Sequence, residues 1–260
     1  MTSPSRLDVD TRNGVATVVL DDVATRNALS TALIDQLIDG LETLAEDHTV
    51  EVIVIGHTGP AFSAGHDLRE MTDRDLPFYE HLFDRCAVLM QTLHVLPQPV
   101  IARVDGVATA AGCQLVASCD LVVASDRSSF ATPGVKIGLF CSTPMVALSR
   151  AIGQKRALQM LLTGQPISAA TAAEWGLVNH VVAPDALADA SAELAASLRA
   201  FSPHTIALGK AAFYTQIDQT EPDAYAFTRR VMSANAADPV AAEGISAFLD
   251  KRPPIWPDPR

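Results

Sequence analysis

Apolar residues recur along this chain in two rhythms. Short, nearly continuous runs at Val15–Leu20, Val52–Ile55, Val100–Val104 and Leu121–Ala124 have the length and β-branched content of buried strands. Between them, apolar positions return every three or four residues. Leu33, Ile34, Leu37, Leu41, Leu44 and Ala45 form one such stripe, with Ser30 or Thr31 placed to cap it. Phe78 to Leu96 forms another, stopped by Pro97 and Pro99 in the motif's wake. Beyond Pro133 the spacing predicts helices over Pro144–Ile152, Lys155–Leu162, Ser168–Trp175 and Pro184–Ala200. From Ser202 onward the pattern is almost all helical, including Ala224–Ala234 and Val240–Leu249, before a proline-rich extended tail. Strands alternating with helices predict an α/β protein with parallel pairings. The change of pattern suggests a core over 1–200 and a helical region over 201–260.

Composition narrows the partners. The 260 residues carry 19 basic and 30 acidic side chains, a net charge of −11. Non-specific binding to nucleic acid or anionic membrane is therefore disfavoured, and an anionic ligand would need basic residues gathered locally. No run approaches the roughly 18 apolar residues of a membrane span, so no membrane insertion is expected. The first residues lack an apolar signal core, which points to the cytoplasm. Cys86, Cys113, Cys119 and Cys141 form no CxxC pair and read as buried thiols, without disulfide or zinc. The chain contains no GxG, no phosphate loop, no GxSxG and no HExxH. His66-Asp67 lacks further ligands at useful spacing, so no metal is expected.

Two loops carry the chemistry. Ala61-Phe-Ser-Ala-Gly-His-Asp-Leu-Arg-Glu-Met71 follows a buried strand and consists of small residues before a polar turn. Val104-Asp-Gly-Val-Ala-Thr-Ala-Ala-Gly-Cys-Gln-Leu-Val-Ala-Ser-Cys-Asp120 repeats that plan and runs into a helix. Small side chains at Ala64, Gly65, Ala111 and Gly112 leave backbone N–H groups uncovered. Amides at a helix start have no intrahelical acceptor and can hold developing negative charge. Tight packing alone explains either loop; the pair together suggests one site between adjacent strand ends.

These segments resemble the crotonase family, the enoyl-CoA hydratase/isomerase superfamily. The resemblance also covers Arg26-Asn-Ala-Leu29, Phe130-Ala-Thr-Pro-Gly-Val-Lys-Ile-Gly138, Leu162-Thr-Gly164 and Ala172–Val178 with Val181-Val182. The words GCQLVASCD, SSFATPG and GLFCSTP look closest to one branch within it. The resemblance implies a spiral of ββα units, C-terminal helices that build a homotrimer or a dimer of trimers, and a coenzyme A thioester as substrate or ligand, with no other cofactor. It implies that the backbone N–H groups of His66 and Ala111 polarise the thioester carbonyl, with Gly112 beside them. It assigns the adenine contact to Ala64 and the path of coenzyme A to Arg26 and Ala28.

The sequence departs from that family at the acid–base groups. The two hydratase glutamates fall on Gln114 and Gly134, and neither can titrate, so ordinary hydration is doubtful. Cys141 and Ser142 stand before the Pro144 helix, whose N-terminus favours a thiolate; they are candidate nucleophiles for thioester hydrolysis, or Cys141 is an inert buried thiol. Thr132 and Lys136 flank Gly134. The His66 ring is a second acid–base candidate or a pocket wall. Asp67 is expected to brace its loop and Asp120 to anchor a turn. Three functions follow: an enoyl-CoA hydratase/isomerase acting through an oxyanion hole, a non-catalytic acyl-CoA binder or regulator, or a thioester hydrolase.

Overall fold

The computed structural model describes residues 6–257. Its main sheet has six strands in the order β1 (Leu7–Arg12), β2 (Val15–Leu20), β3 (Val52–His57), β5 (Val100–Val104), β7 (Leu121–Ser125) and β10 (His180–Val182). Only β1 runs antiparallel to its neighbour; the other pairings are parallel. The missing numbers belong to a second sheet: β4 (Ala61–Ser63), β6 (Val107–Thr109), β8 (Ser129–Ala131) and β9 (Ile167–Ser168). Three successive turns of the chain each give one strand to each sheet and then a helical segment. β3 and β4 lead to α2 (Leu76–Val95), β5 and β6 to α3 (Ala111–Ser118), and β7 and β8 to a 3-10 turn at Pro133–Ile137. This is the expected ββα spiral.

The central strands are apolar because both faces are covered. Ala102 and Val104 face the main core, which also takes Leu33, Leu37 and Leu41 of α1 (Thr31–Glu46) and Leu89 and Leu93 of α2. Ile101 and Val123 face a smaller cluster closed by Leu187 and Ala195. Ser30 caps α1, its Oγ accepting from the Leu33 amide at 3.3 Å.

Two expectations need adjustment. The segment Pro184–Ala200 is not one helix: a 3-10 turn at Pro184–Ala186 precedes α7 (Leu187–Arg199). The second sheet leaves no signal in the sequence pattern, because two- and three-residue strands have no measurable period. Asp120 does more than anchor a turn. Its carboxylate accepts from the Val100 amide (2.7 Å), the Lys210 ammonium (2.6 Å) and the Tyr214 hydroxyl (2.8 Å), tying β5 to α8 (Pro203–Gln216).

The rest of the chain is helical: α4 (Pro144–Ile152), α5 (Gln154–Thr163), α6 (Ala169–Trp175), α9 (Glu221–Ala236) and α10 (Pro239–Leu249). Neither α8 nor α9 has a fully buried residue. Tyr225, Met232, Phe248 and Leu249 stand open to solvent.

Candidate functional site

The site is assembled from three segments that lock together through the backbone. Arg26 and Asn27 both adopt left-handed backbone angles, φ 57° and 53°. The buried Asn27 side chain donates to the carbonyls of Ala61 (2.8 Å) and Thr58 (3.0 Å) and accepts from the Asp22 amide (2.8 Å). The Ala64 amide donates to the Arg26 carbonyl (3.0 Å), and the Leu29 amide to the Gly65 carbonyl (2.7 Å). The 26–29 turn therefore fixes the course of the 61–66 loop.

That loop then interlocks with the start of α3 through two glycines. A Cβ on Gly65, which has φ +87°, would lie 2.8 Å from Ala110 Cβ and 3.3 Å from the Ala111 nitrogen. A Cβ on Gly112 would lie 2.5 Å from the Ser63 carbonyl oxygen. Only glycine permits both approaches. Ala110 holds φ 52° and ψ −120°, a strained setting for alanine, with its amide donating to Ala131 at 2.9 Å. The strain presents Ala111 as the first residue of α3. Among the described residues, neither the His66 nor the Ala111 main-chain amide finds an acceptor.

Both residues line one cavity of about 450 Å³, together with Ala64, Gly134, Cys141 and Ser142. Its walls are apolar, supplied by residues such as Met71, Phe83, Leu139 and Phe140. A second cavity of about 390 Å³ shares Ala64, His66 and Leu68 with the first and adds Arg26, Ala28 and Arg69. A longer groove thus runs from the Arg26 turn to Phe140. Among the described residues Arg26, Arg69 and Lys136 form no salt bridge. The nearby acids are engaged elsewhere: Asp67 accepts from the Arg69 amide (3.0 Å), bracing its loop as expected, and Glu70 accepts from the Thr31 amide (2.9 Å). In a chain of charge −11, this is a local surplus of cations.

Five of the sequence candidates are placed as follows. Gln114 lines neither cavity; it is buried, and its Oε1 lies 4.0 Å from Cys86 Sγ on α2. Gly112 lines neither as well; it acts through close packing on Ser63. Position 134 is not open space: a Cβ there would lie 2.0 Å from the Leu139 carbonyl oxygen and 2.9 Å from Cys141 Sγ. The Cys141 thiol is not shifted towards thiolate. Burial pushes its pKa up, with the Gly134 amide opposing. Ser142 is exposed, and among the described residues its hydroxyl meets only the Phe140 carbonyl, at 3.4 Å.

The His66 ring forms part of the wall. Its Nδ1 lies 3.3 Å from the Leu29 carbonyl, its Nε2 is buried without a partner among the described residues, and the ring stands edge-on to Phe83. Burial holds its pKa below the ordinary imidazole value, so it is neutral at pH 7. The sequence did not single out Arg69, Phe83 or Phe140; Arg69 alone was legible, standing inside the first loop. A cavity of about 620 Å³ around Asp120, His94 and Tyr214 is larger, but none of the candidate residues line it.

A family model described as "Enoyl-CoA hydratase/isomerase" matches residues 10–259. The chain is 45% identical over 246 residues to the Mus musculus protein "Enoyl-CoA hydratase domain-containing protein 3, mitochondrial", covering 94% of this chain and 82% of that one. This is the branch to which the three sequence words pointed. A crystal structure titled enoyl-CoA hydratase from Mycobacterium smegmatis superimposes with a TM-score of 0.94 at 48% identity, covering 97% and 99% of the two chains. The crystal structure of human enoyl-CoA hydratase domain-containing protein 3 gives 0.93 at 45%, covering 97% and 100%. The cytoplasmic expectation does not stand, because vertebrate relatives of this branch are named as mitochondrial proteins. The absence of an apolar signal core never tested for a mitochondrial leader, which is amphipathic and arginine-rich. With fold, loops and nearly the full length in agreement, the chain belongs to the enoyl-CoA hydratase/isomerase family.

Proposed function

We propose that the groove binds an acyl-coenzyme A thioester and polarises its carbonyl oxygen between the His66 and Ala111 amides. One observation carries this reading: two main-chain donors without acceptors on a single apolar cavity. Such donors stabilise an enolate oxygen without reorganisation. Arg26, Ala28 and Ala64 on the adjoining cavity suit the coenzyme A moiety, and the unpaired Arg26 and Arg69 suit its phosphates. The chemistry calls for no further cofactor.

Ordinary hydration is not favoured by this arrangement. It needs a base for water and an acid for the α-carbon, worth on the order of 10²–10⁴-fold. Gln114 faces Cys86, and Gly134 is covered by Leu139. These same features favour a second reading, a non-catalytic acyl-CoA binder or regulator. Thioester hydrolysis through Cys141 or Ser142 has less support, since the thiol is held protonated and no base bonds to Ser142. The apolar side chains exposed on α9 and α10 suit an interface between copies, as in a homotrimer or a dimer of trimers.

The binding reading is tested by calorimetry with butyryl-CoA and its thioether S-butyl-CoA, which lacks the carbonyl. Two amide hydrogen bonds at about 0.5–1.5 kcal/mol each predict a preference of roughly 5- to 150-fold for the thioester. Equal affinities would refute the role of the amides. Turnover of crotonyl-CoA, followed by loss of enoyl absorbance, separates the two readings: negligible turnover supports the binder.

A further inference from the structure

The cavity that carries the His66 and Ala111 amides also carries a charge that the chemistry at the carbonyl leaves unused. Its walls are mostly apolar, and no aspartate or glutamate lines it. With the His66 ring neutral, Lys136 is its single charged side chain among the described residues, where it forms no salt bridge. The lysine stem has a seat. A Cβ on Gly164 would lie 3.1 Å from Lys136 Cε, and the missing side chain leaves that room. The ammonium is one bond further on, and the residue is exposed, so it stands at the rim of the cavity. Ser142 and Thr143 add two hydroxyls to the same lining, and the Thr143 hydroxyl is not used to cap α4.

The two cavities divide a thioester between them. Arg26, Ala28 and Arg69 line the adjoining cavity, and Lys136 does not. His66 lines both, so its amide stands where they meet. A ligand with coenzyme A on the arginine side and its carbonyl at that amide sends its acyl chain into the cavity that Lys136 lines. The chain meets apolar walls there and, at the rim, a cation without a counterion.

We propose that the groove selects acyl-CoA thioesters whose acyl chain ends in a carboxylate, and that Lys136 recognises that carboxylate. This rests on the acyl-CoA reading of the groove. The methylenes of such a chain lie on the apolar walls, and the carboxylate accepts a charge-assisted hydrogen bond from the ammonium. A pair formed at a partly enclosed apolar rim is screened less than one on open surface. A plain alkyl chain covers the same walls but leaves Lys136 unpaired. A shared positive charge on arginine would serve the carboxylate as well, whereas a neutral side chain of similar length would not.

Calorimetry with succinyl-, glutaryl- and adipyl-CoA tests this, each against its terminal amide of equal size, with butyryl-CoA alongside. The quantity read is the ratio of acid to amide affinity within one protein. For the chain length that fits, the acid should bind roughly 3- to 30-fold more tightly, between the worth of an exposed ion pair and that of a charge-assisted hydrogen bond. The ratio should shrink as salt is raised, fall to about 1 in Lys136→Met and persist in Lys136→Arg. A protein that binds butyryl-CoA but prefers none of the three acids overturns the carboxylate assignment and leaves the groove reading intact. A preference that survives in Lys136→Met belongs to another cation and overturns it too. So does a variant that weakens acid and amide alike, which would assign the lysine to coenzyme A. A protein that binds none of these thioesters overturns both readings. Lys136→Gln is the second neutral variant should Lys136→Met fail to fold, and the preference with its salt dependence is read on the unmutated chain.

Discussion

Replacing Gly134 by alanine puts a methyl carbon 2.0 Å from the Leu139 carbonyl oxygen, far inside contact distance. That oxygen belongs to backbone, so relief requires the 138–141 segment to move. Overpacking of this kind costs about 1–3 kcal/mol. The movement also breaks the hydrogen bond from the Leu139 amide to the Gly134 carbonyl, 3.0 Å long, worth about 0.5–1.5 kcal/mol. Together the loss is about 2–4 kcal/mol, a large part of the roughly 5–15 kcal/mol that holds a folded domain. At about 2–4 °C per kcal/mol for a chain of this size, Gly134→Ala should melt roughly 4–16 °C lower. Gly138→Ala is the control. It has φ +75° with nothing within 4 Å of an added Cβ, so only left-handed strain of about 1 kcal/mol applies. Differential scanning fluorimetry of both variants gives the comparison. The same clash predicts that Gln114→Glu with Gly134→Glu will not restore crotonyl-CoA hydration. If Gly134→Ala melts no lower than Gly138→Ala, or if the double glutamate variant hydrates, the Leu139 carbonyl does not fill that space.

Two further outcomes follow from groups around the site. Asp120→Ala strips the almost fully buried Lys210 ammonium of its carboxylate and should cost about 3–5 kcal/mol, read from urea denaturation; a loss under about 1 kcal/mol would show the pair to be solvated. His57, His66 and His94 are all held below the ordinary imidazole pKa, chiefly by burial. The unfolded chain takes up these protons near pH 6.5 and the folded chain only at lower pH, so stability should fall as pH drops below about 6.5. A urea midpoint at pH 5.5 equal to or above that at pH 7.5 would contradict the burial of these rings.

Much of this protein was decided locally, and that much was legible. The runs Val15–Leu20 and Val100–Val104 became strands with the same bounds; the first is fully buried only at alternate residues, and the second, deeper in the sheet, everywhere but at Arg103. Pro144–Ile152 became α4, and Ser30 capped α1, since caps and periods depend on neighbours three or four residues away. The small residues of the two loops marked where a backbone would be approached closely. Contacts across long sequence separations were not legible. The three-residue strands β4, β6 and β8 pair only because the spiral stacks them, and no local pattern encodes that. At position 134 the sequence showed a missing side chain; only the returning 138–141 segment decided that a carbonyl and a thiol fill the space. Gln114 sits at a glutamate's position in sequence, yet packing against α2 turned it towards Cys86. The helix start beyond Cys141 suggested an activated thiol, and desolvation, a property of the assembled core, reversed it. Sequence fixes which groups are available because chemistry resides in the side chain; the tertiary structure decides which of them meet, because burial and distance arise only when remote segments pack.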